Sequence, residues 1–109
     1  MLMRSPLARD RRRPEGFVQP CQPTLATTVP TGTGWIHELK HDGMRLIARK
    51  DGGRVRLWSR YGRSRTNDFA MIAAGLLALR VDSVLLDGEA VAHCDAGLPD
   101  FHRTLSAAG

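Results

Sequence analysis

The chain has 109 residues, 42% of them hydrophobic, and a formal net charge of +5; that length allows one small domain with a modest core. No apolar run approaches the ~20 residues needed to cross a membrane, and no apolar segment stands behind the basic start to make a secretory signal, so a cytoplasmic chain with no membrane partner is expected. Cys21 and Cys94 lie far apart without metal-ligand spacing, and His37, His41, His93 and His102 form no paired pattern; free, buried or inert thiols in a reducing compartment are expected, and no zinc site.

In chain order, residues 1–16 hold five arginines and two acids, so three of the five net charges sit in this stretch. It reads as a disordered basic arm with too few apolar anchors to fold. Residues 17–109 are then the folded domain. Its first part, 17–34, carries Pro20, Pro23 and Pro30 and then Thr31-Gly32-Thr33-Gly34, an extended lead-in without helix. Residues 35–40, 44–50 and 54–59 read as three strands, separated by Asp42-Gly43 and Asp51-Gly52-Gly53, which suggests an antiparallel meander. In the third, Val55, Leu57 and Ser59 share one face and Arg56, Trp58 and Arg60 the other.

Residues 61–67 form a polar loop. Asp68 is placed to cap a helix through about Arg80, with Phe69, Ile72, Leu76 and Leu79 at helical spacing for one packed face. Val84 to Leu86 reads as a short buried strand, Asp87-Gly88 as a turn or bulge, and Glu89 to His93 as another strand. After a turn over 95–99, Asp100 caps a short helix start with Phe101 and Leu105 as its apolar positions.

Three polar clusters fall at strand ends or beside turns: Glu38, Lys40, Asp42 and Arg45; Ser59, Arg60 and Gly62; Asp87, Gly88 and Glu89. Binding groups often occupy such edges. The chain has fourteen arginines and only two lysines, Lys40 and Lys50, and a lysine can lose its proton and attack an electrophile where an arginine stays charged. One nucleophilic lysine, two arginines for forked contacts to phosphate oxygens and a carboxylate for ribose or metal suit a triphosphate ligand. A β-hairpin with a surface lysine is the other reading of Lys40-His41-Asp42-Gly43. A solvated strand-end charge at Arg60 and an ordinary bulge at Asp87-Gly88-Glu89 remain open in the same way. The spacing Lys-x-Asp-Gly-x-Arg has a chance frequency of about one start in 10^5 at average residue usage.

With these residues in place, the chain resembles the N-terminal part of the adenylation domain of ATP-dependent DNA ligases, and most nearly bacterial ligases of the end-joining type. These belong to the lysine-nucleotidyltransferase superfamily, shared with RNA ligases and mRNA capping enzymes. Gly34-Trp35-Ile36-His37-Glu38-Leu39-Lys40-His41-Asp42-Gly43-Met44-Arg45 is similar to motif I and its approach strand. Leu57-Trp58-Ser59-Arg60-Tyr61-Gly62 is similar to motif Ia, Leu85-Leu86-Asp87-Gly88-Glu89-Ala90-Val91 to motif III, and Pro99-Asp100-Phe101 to the segment after it. The likeness runs from about Pro20 to Leu105. Met44 stands where the family often has an aromatic, and Arg63-Ser64-Arg65-Thr66 is more basic than the usual loop, which often carries a tryptophan.

The resemblance implies an α+β fold, a partial ATP-grasp-like nucleotidyltransferase in which an antiparallel sheet with a packed helix holds Lys40 at a strand end. It implies that Lys40 attacks the α-phosphate of ATP and keeps AMP as a phosphoramidate. By the same resemblance the Glu38-Leu39 segment contacts adenine, Arg45 and Arg60 line the nucleotide and phosphate side, and Glu89 engages the ribose or the metal environment. Magnesium would neutralise the phosphates. AMP then passes to a 5′-phosphate in nicked or broken DNA, and a 3′-hydroxyl seals it, a step of DNA repair and recombination. The family's later adenine-stacking aromatic, metal carboxylate, lysine pair and OB-fold domain do not occur in these 109 residues. As a free chain it is therefore expected to ligate little or not at all. Two alternatives are a non-catalytic remnant or split-ligase half that binds a complementary fragment, and a small basic DNA-binding protein using the arm and Arg60, Arg63 and Arg65.

Overall fold

A computed structural model describes residues 14–107. In chain order the elements are β1 (Met44–Asp51), β2 (Arg54–Ser59), α1 (Ala70–Leu77), β3 (Ser83–Ala90) and α2 (Phe101–Ala107). The strands make one antiparallel sheet in the order β2-β1-β3, so the architecture is α+β as the sequence implies. Asp51 pairs with Arg54, which leaves Gly52-Gly53 as a two-residue turn. Gly52 there takes φ +56°, a conformation open to glycine at little cost.

Alternation along the strands builds two faces. Leu46 and Ala48 of β1, Leu57 of β2 and Ala90 of β3 point to one side and pack with Phe69, and Met44, Val55, Ala73 and Leu76 close around them. Leu57 is wholly buried, as its place on the Val55, Leu57, Ser59 face predicts. Lys50 lies on this side too. It is 6% exposed, and its ammonium donates to the carbonyls of Leu77 and Leu79 at 2.8 and 2.5 Å, across the end of α1.

The second face is covered by the lead-in. Arg49, 4% exposed, donates to the carbonyls of Pro14 and Gly16. The Phe17 ring lies 6.0 Å from that of Trp58, and Arg45 donates to the carbonyl of Cys21 at 2.6 Å. Residues 1–13 of the expected arm lie outside the described residues, while 14–16 are held against the sheet through Arg49.

Several expected elements differ. Residues 35–40 form no strand, and Trp35, Ile36 and Leu39 are exposed. A hairpin through Asp42-Gly43 would need a free edge of β1, and both edges are taken by β2 and β3. Asp87-Gly88 is neither turn nor bulge. Asp87 pairs with Ile47 and Gly88 with Leu46 inside one continuous β3, because Arg45 across the ladder neutralises the aspartate. The strand expected through His93 stops at Ala90. The chain then turns, with Cys94 N–H donating to Leu98 and Asp100 N–H to Ala92.

The helix expected over 68–80 is shorter, Ala70–Leu77. Asp68 does not cap it, because its carboxylate is taken by Arg65 at 2.9 Å. At the other end Lys50 terminates the carbonyls of Leu77 and Leu79 in place of a further turn. Asp100 does cap α2, its Oδ1 accepting the Arg103 N–H at 3.1 Å. Thr104, 1% exposed, ties α2 to the end of β3 by accepting the Ala92 N–H and donating to the Asp100 carbonyl, each at 2.9 Å. Both cysteines are free, and Cys21 is exposed rather than buried.

Candidate active site

The segment before β1 is set by a close approach at Gly43. A Cβ there would sit 2.2 Å from the Ala90 carbonyl oxygen and 2.7 Å from a Val91 methyl carbon. Only glycine lets the chain pass the end of β3 this tightly. Gly43 therefore works as a crossing point and not as a hairpin corner, and it carries Lys40, His41 and Asp42 over the end of the sheet. Lys40 stands in this irregular segment, before β1, and not at the end of a strand.

Opposite lies the loop after β2. Ser59 N–H donates to Arg63 at 2.8 Å and Gly62 N–H to Ser59 at 2.9 Å, and the Ser59 hydroxyl accepts the Arg63 N–H at 3.2 Å. Gly62 makes the reversal at φ +87°, beneath the Phe17 ring. The Arg60 guanidinium rests 4.7 Å over the Tyr61 ring, which restricts a cation that would otherwise be free in solvent.

Between the two segments is a cavity of about 640 Å³, within the usual range for a small-molecule site. Lys40, His41 and Asp42 line it from the approach segment, Arg60, Tyr61, Arg63 and Arg65 from the loop, Arg45 and Glu89 from the sheet, and Phe101 from the start of α2. Five cationic side chains thus face two carboxylates, Asp42 and Glu89. Such a site is suited to a polyanion with one or two hydroxyl groups to satisfy. A second, smaller cavity between α1, the end of β3 and Thr104 is mainly apolar, and its one carboxylate, Asp68, is already paired.

Of the residues singled out in the sequence, the structure gathers Lys40, Arg45, Arg60 and Glu89 around this cavity, while Glu38 and Leu39 do not line it. Arg45 differs in kind from the other cations. Its Nε and Nη2 form a fork on Asp87 at 3.0 and 2.7 Å, and its Nη1 is on the Cys21 carbonyl. Each of its three nitrogens thus helps to hold β1, β3 and the lead-in together. The hydrogen bond from Arg45 holds the Asp87 carboxyl below the usual aspartate range. His41, Tyr61, Arg63, Arg65 and Phe101 join the site without having been singled out for it. The basic run Arg60-Arg63-Arg65 was the available signal, but the Ser59 bonds that fold it toward Lys40 are not written in composition.

The comparisons with known proteins bear on this site. The family model described as ATP dependent DNA ligase domain matches residues 17–106. The chain belongs to the ATP-dependent DNA ligase domain family. It is 38% identical over 87 residues to the multifunctional non-homologous end joining protein LigD of Pseudomonas aeruginosa, a match covering 78% of this chain and 10% of the relative. It is 38% identical over 93 residues to LigD of Mycolicibacterium smegmatis, covering 82% of this chain and 12% of that protein. The chain thus spans about a tenth of the length of these curated relatives. Among solved structures, the ligase domain of Mycobacterium tuberculosis LigD superposes with a TM-score of 0.56 at 40% identity, over 63% of this chain and 23% of that one. A mycobacterial DNA ligase D complexed with ATP and MES superposes with a TM-score of 0.54 at 39% identity, over 62% and 23%.

Among the described residues no group of three His, Cys, Asp or Glu side chains is arranged to hold a metal ion, and no helix is long and apolar enough to cross a membrane.

Proposed function

We propose that residues 17–109 are the lysine-bearing part of the adenylation domain of a DNA ligase, and that Lys40 is its nucleophile. The observation that carries this reading is the position of Lys40 at a cation-rich cavity that Arg60, Arg63 and Glu89 also line, in a chain of this family. The Lys40 amine attacks the α-phosphorus of ATP. A nitrogen–phosphorus bond forms, the bond to the bridging oxygen breaks, pyrophosphate leaves with the electron pair, and the lysine proton passes to solvent. Arg60 and Arg63 take the charge that grows on the phosphate oxygens, the role in which fixed donors contribute most to phosphoryl and nucleotidyl transfer. Glu89 accepts from a ribose hydroxyl. Arg45, held on Asp87 and the Cys21 carbonyl, acts as a brace under the site. The adenine contact implied for Glu38 and Leu39 is not made by side chains lining this cavity.

AMP held on Lys40 would pass to the 5′-phosphate of nicked or broken DNA, and a 3′-hydroxyl would displace it. We place this reaction in the cytoplasm. Magnesium is the ion implied by the family. Such an ion is held mainly by the phosphates of a nucleotide with one or two carboxylates, and Asp42 and Glu89 are the carboxylates lining the cavity that would hold it; no step is assigned to it.

The test is the intact mass of the purified chain after incubation with ATP and magnesium, beside Lys40→Ala. The expected result is a gain of one AMP in the wild type and none in the variant. A folded wild-type chain that gains nothing, or a Lys40→Ala chain that gains the same mass, overturns the assignment.

A further inference from the structure

We propose that Tyr61 is a positioning residue of this cavity, its ring holding the Arg60 guanidinium in place for a phosphate group. The proposal rests on reading the cavity as a site for phosphate-bearing ligands with Arg60 among its contacts. The Gly62 N–H donates to the Ser59 carbonyl at 2.9 Å, which closes a four-residue turn with Arg60 and Tyr61 at its centre. The turn is itself fixed. The Ser59 N–H donates to the Arg63 carbonyl at 2.8 Å, and Trp58 bridges to Ser64 across the loop. Gly62 reverses the chain at φ +87° against the Phe17 ring. Both central side chains therefore start from a settled backbone, and both line the cavity with Lys40.

The two side chains meet. The Arg60 guanidinium carbon lies 4.7 Å from the centre of the Tyr61 ring, inside the distance at which a cation is drawn to a π face. The means of restraint matters. Arg45 is held by Asp87, which takes its Nε and Nη2 and neutralises its charge. Arg60, among the described residues, makes no hydrogen bond or ion pair. A ring holds a cation without supplying a countercharge, so Arg60 keeps its charge and its forked donors for an oxyanion. An arginine free in solvent must be ordered when its ligand arrives, and restraint in advance lowers that cost. Tyr61 is also 75% exposed and stands outside the hydrophobic core, which Leu46, Ala48, Leu57, Phe69 and Ala90 form. Its ring can be changed without opening a hole beneath the sheet.

The experiment titrates the full chain with inorganic tripolyphosphate by calorimetry and follows folding by circular dichroism. It compares the wild type with Tyr61→Leu, Tyr61→Phe, Arg60→Gln and the double variant carrying Arg60→Gln and Tyr61→Leu. Tyr61→Leu is expected to weaken binding about two- to fivefold, the size of a cation–π contact at an exposed site. Tyr61→Phe keeps the ring and is expected to keep most of the affinity. Arg60→Gln is expected to lose about tenfold, the effect of one hydrogen bond to a charged group. In that background Tyr61→Leu is expected to cost nothing more, and this comparison separates positioning from direct contact. If Tyr61→Leu associates or does not fold, Tyr61→Gln takes its place with the same losses expected.

A folded Tyr61→Leu chain with wild-type affinity overturns the proposal. So does a loss of the same size in Tyr61→Phe, which assigns the effect to the hydroxyl. A loss that persists in the Arg60→Gln background overturns it too, because the ring then acts on the ligand directly. A wild-type chain that does not bind tripolyphosphate overturns it whatever that chain does with ATP. The adenylation reading is scored apart, by the AMP gained from ATP. A chain that shows the expected coupling but gains no AMP ends that reading and leaves Tyr61 standing. A chain that gains AMP while Tyr61→Leu binds tripolyphosphate normally ends the Tyr61 proposal alone.

Discussion

A methyl group at position 43 would lie 2.2 Å from the Ala90 carbonyl oxygen, and that oxygen belongs to backbone that the β1–β3 ladder holds in place. Relief must come from moving the approach segment, and Lys40 moves with it. Gly43→Ala is therefore expected to destabilise the chain by about 1–3 kcal/mol or somewhat more, the range for a side chain forced into packed structure, and to lower the midpoint of urea unfolding. Its rate of AMP uptake should fall even where the protein is still folded. A variant with wild-type stability and uptake would show that the crossing at Gly43 is loose. At this scale the sequence was legible in part. The lysine, the Asp-Gly pair and Arg45 stood out by type and spacing, but Asp-Gly invited a hairpin. The true reason for the glycine is a backbone contact with a strand far along the chain, and no local pattern encodes it.

The elements were legible where local chemistry decides them. Gly52-Gly53 makes the β1–β2 turn, and Asp100 caps α2 through the Arg103 N–H. They were misread where a distant partner decides. Residues 35–40 have strand-like composition but no edge of β1 to join, and Asp87-Gly88 looks like a turn until Arg45 is placed beside it. The fork between Arg45 and Asp87 joins β1 to β3 at a half-exposed position, so its contribution to stability is modest. It should still be visible in acid. The Asp87 carboxyl is held below its ordinary value of 3.8 chiefly by the hydrogen bond from Arg45. Above that value it is charged in both folded and unfolded chains, and the full contribution is present. As the pH falls from 3.8 through the lower folded value, the unfolded chain takes up the proton first and the contribution is lost. Asp87→Asn is thus expected to melt at a lower temperature than wild type near neutrality, with the gap closing in this acid window. Thermal melts from about pH 6 to about pH 2 test this linkage; a gap that stays constant throughout would mean that the charge on Asp87 contributes nothing.

For the molecule as a whole, the contacts of the sheet reach back into the basic N-terminal stretch, to Pro14 and Gly16. The shift in residue types places the boundary after Gly16, and nothing in a run of arginine, proline and glycine hints at a second role. In the structure the sheet is covered on its second face by the chain from Pro14 onward. The cover is fastened by Arg49, buried on β1, through the carbonyls of Pro14 and Gly16. A buried guanidinium that loses its acceptors is costly, because a desolvated charge is left uncompensated. Two truncations separate the roles. Removing residues 1–13 takes away five arginines and one aspartate but leaves both carbonyls, so the melting temperature should stay close to that of the intact chain, and any affinity for DNA should become less steep in salt as phosphate contacts are lost. Removing residues 1–16 also strips Arg49 of its partners, and the melting temperature should drop by several degrees, as expected when a small domain loses 1 kcal/mol or more (about 4–8 °C per kcal/mol). Restoring stability in the longer truncation with Arg49→Met, an uncharged side chain of similar length, would identify the stranded charge as the cause. Equal melting of the two truncations would show instead that the cover is held by Phe17 against Trp58 and by Arg45 on Cys21, both of which survive either cut.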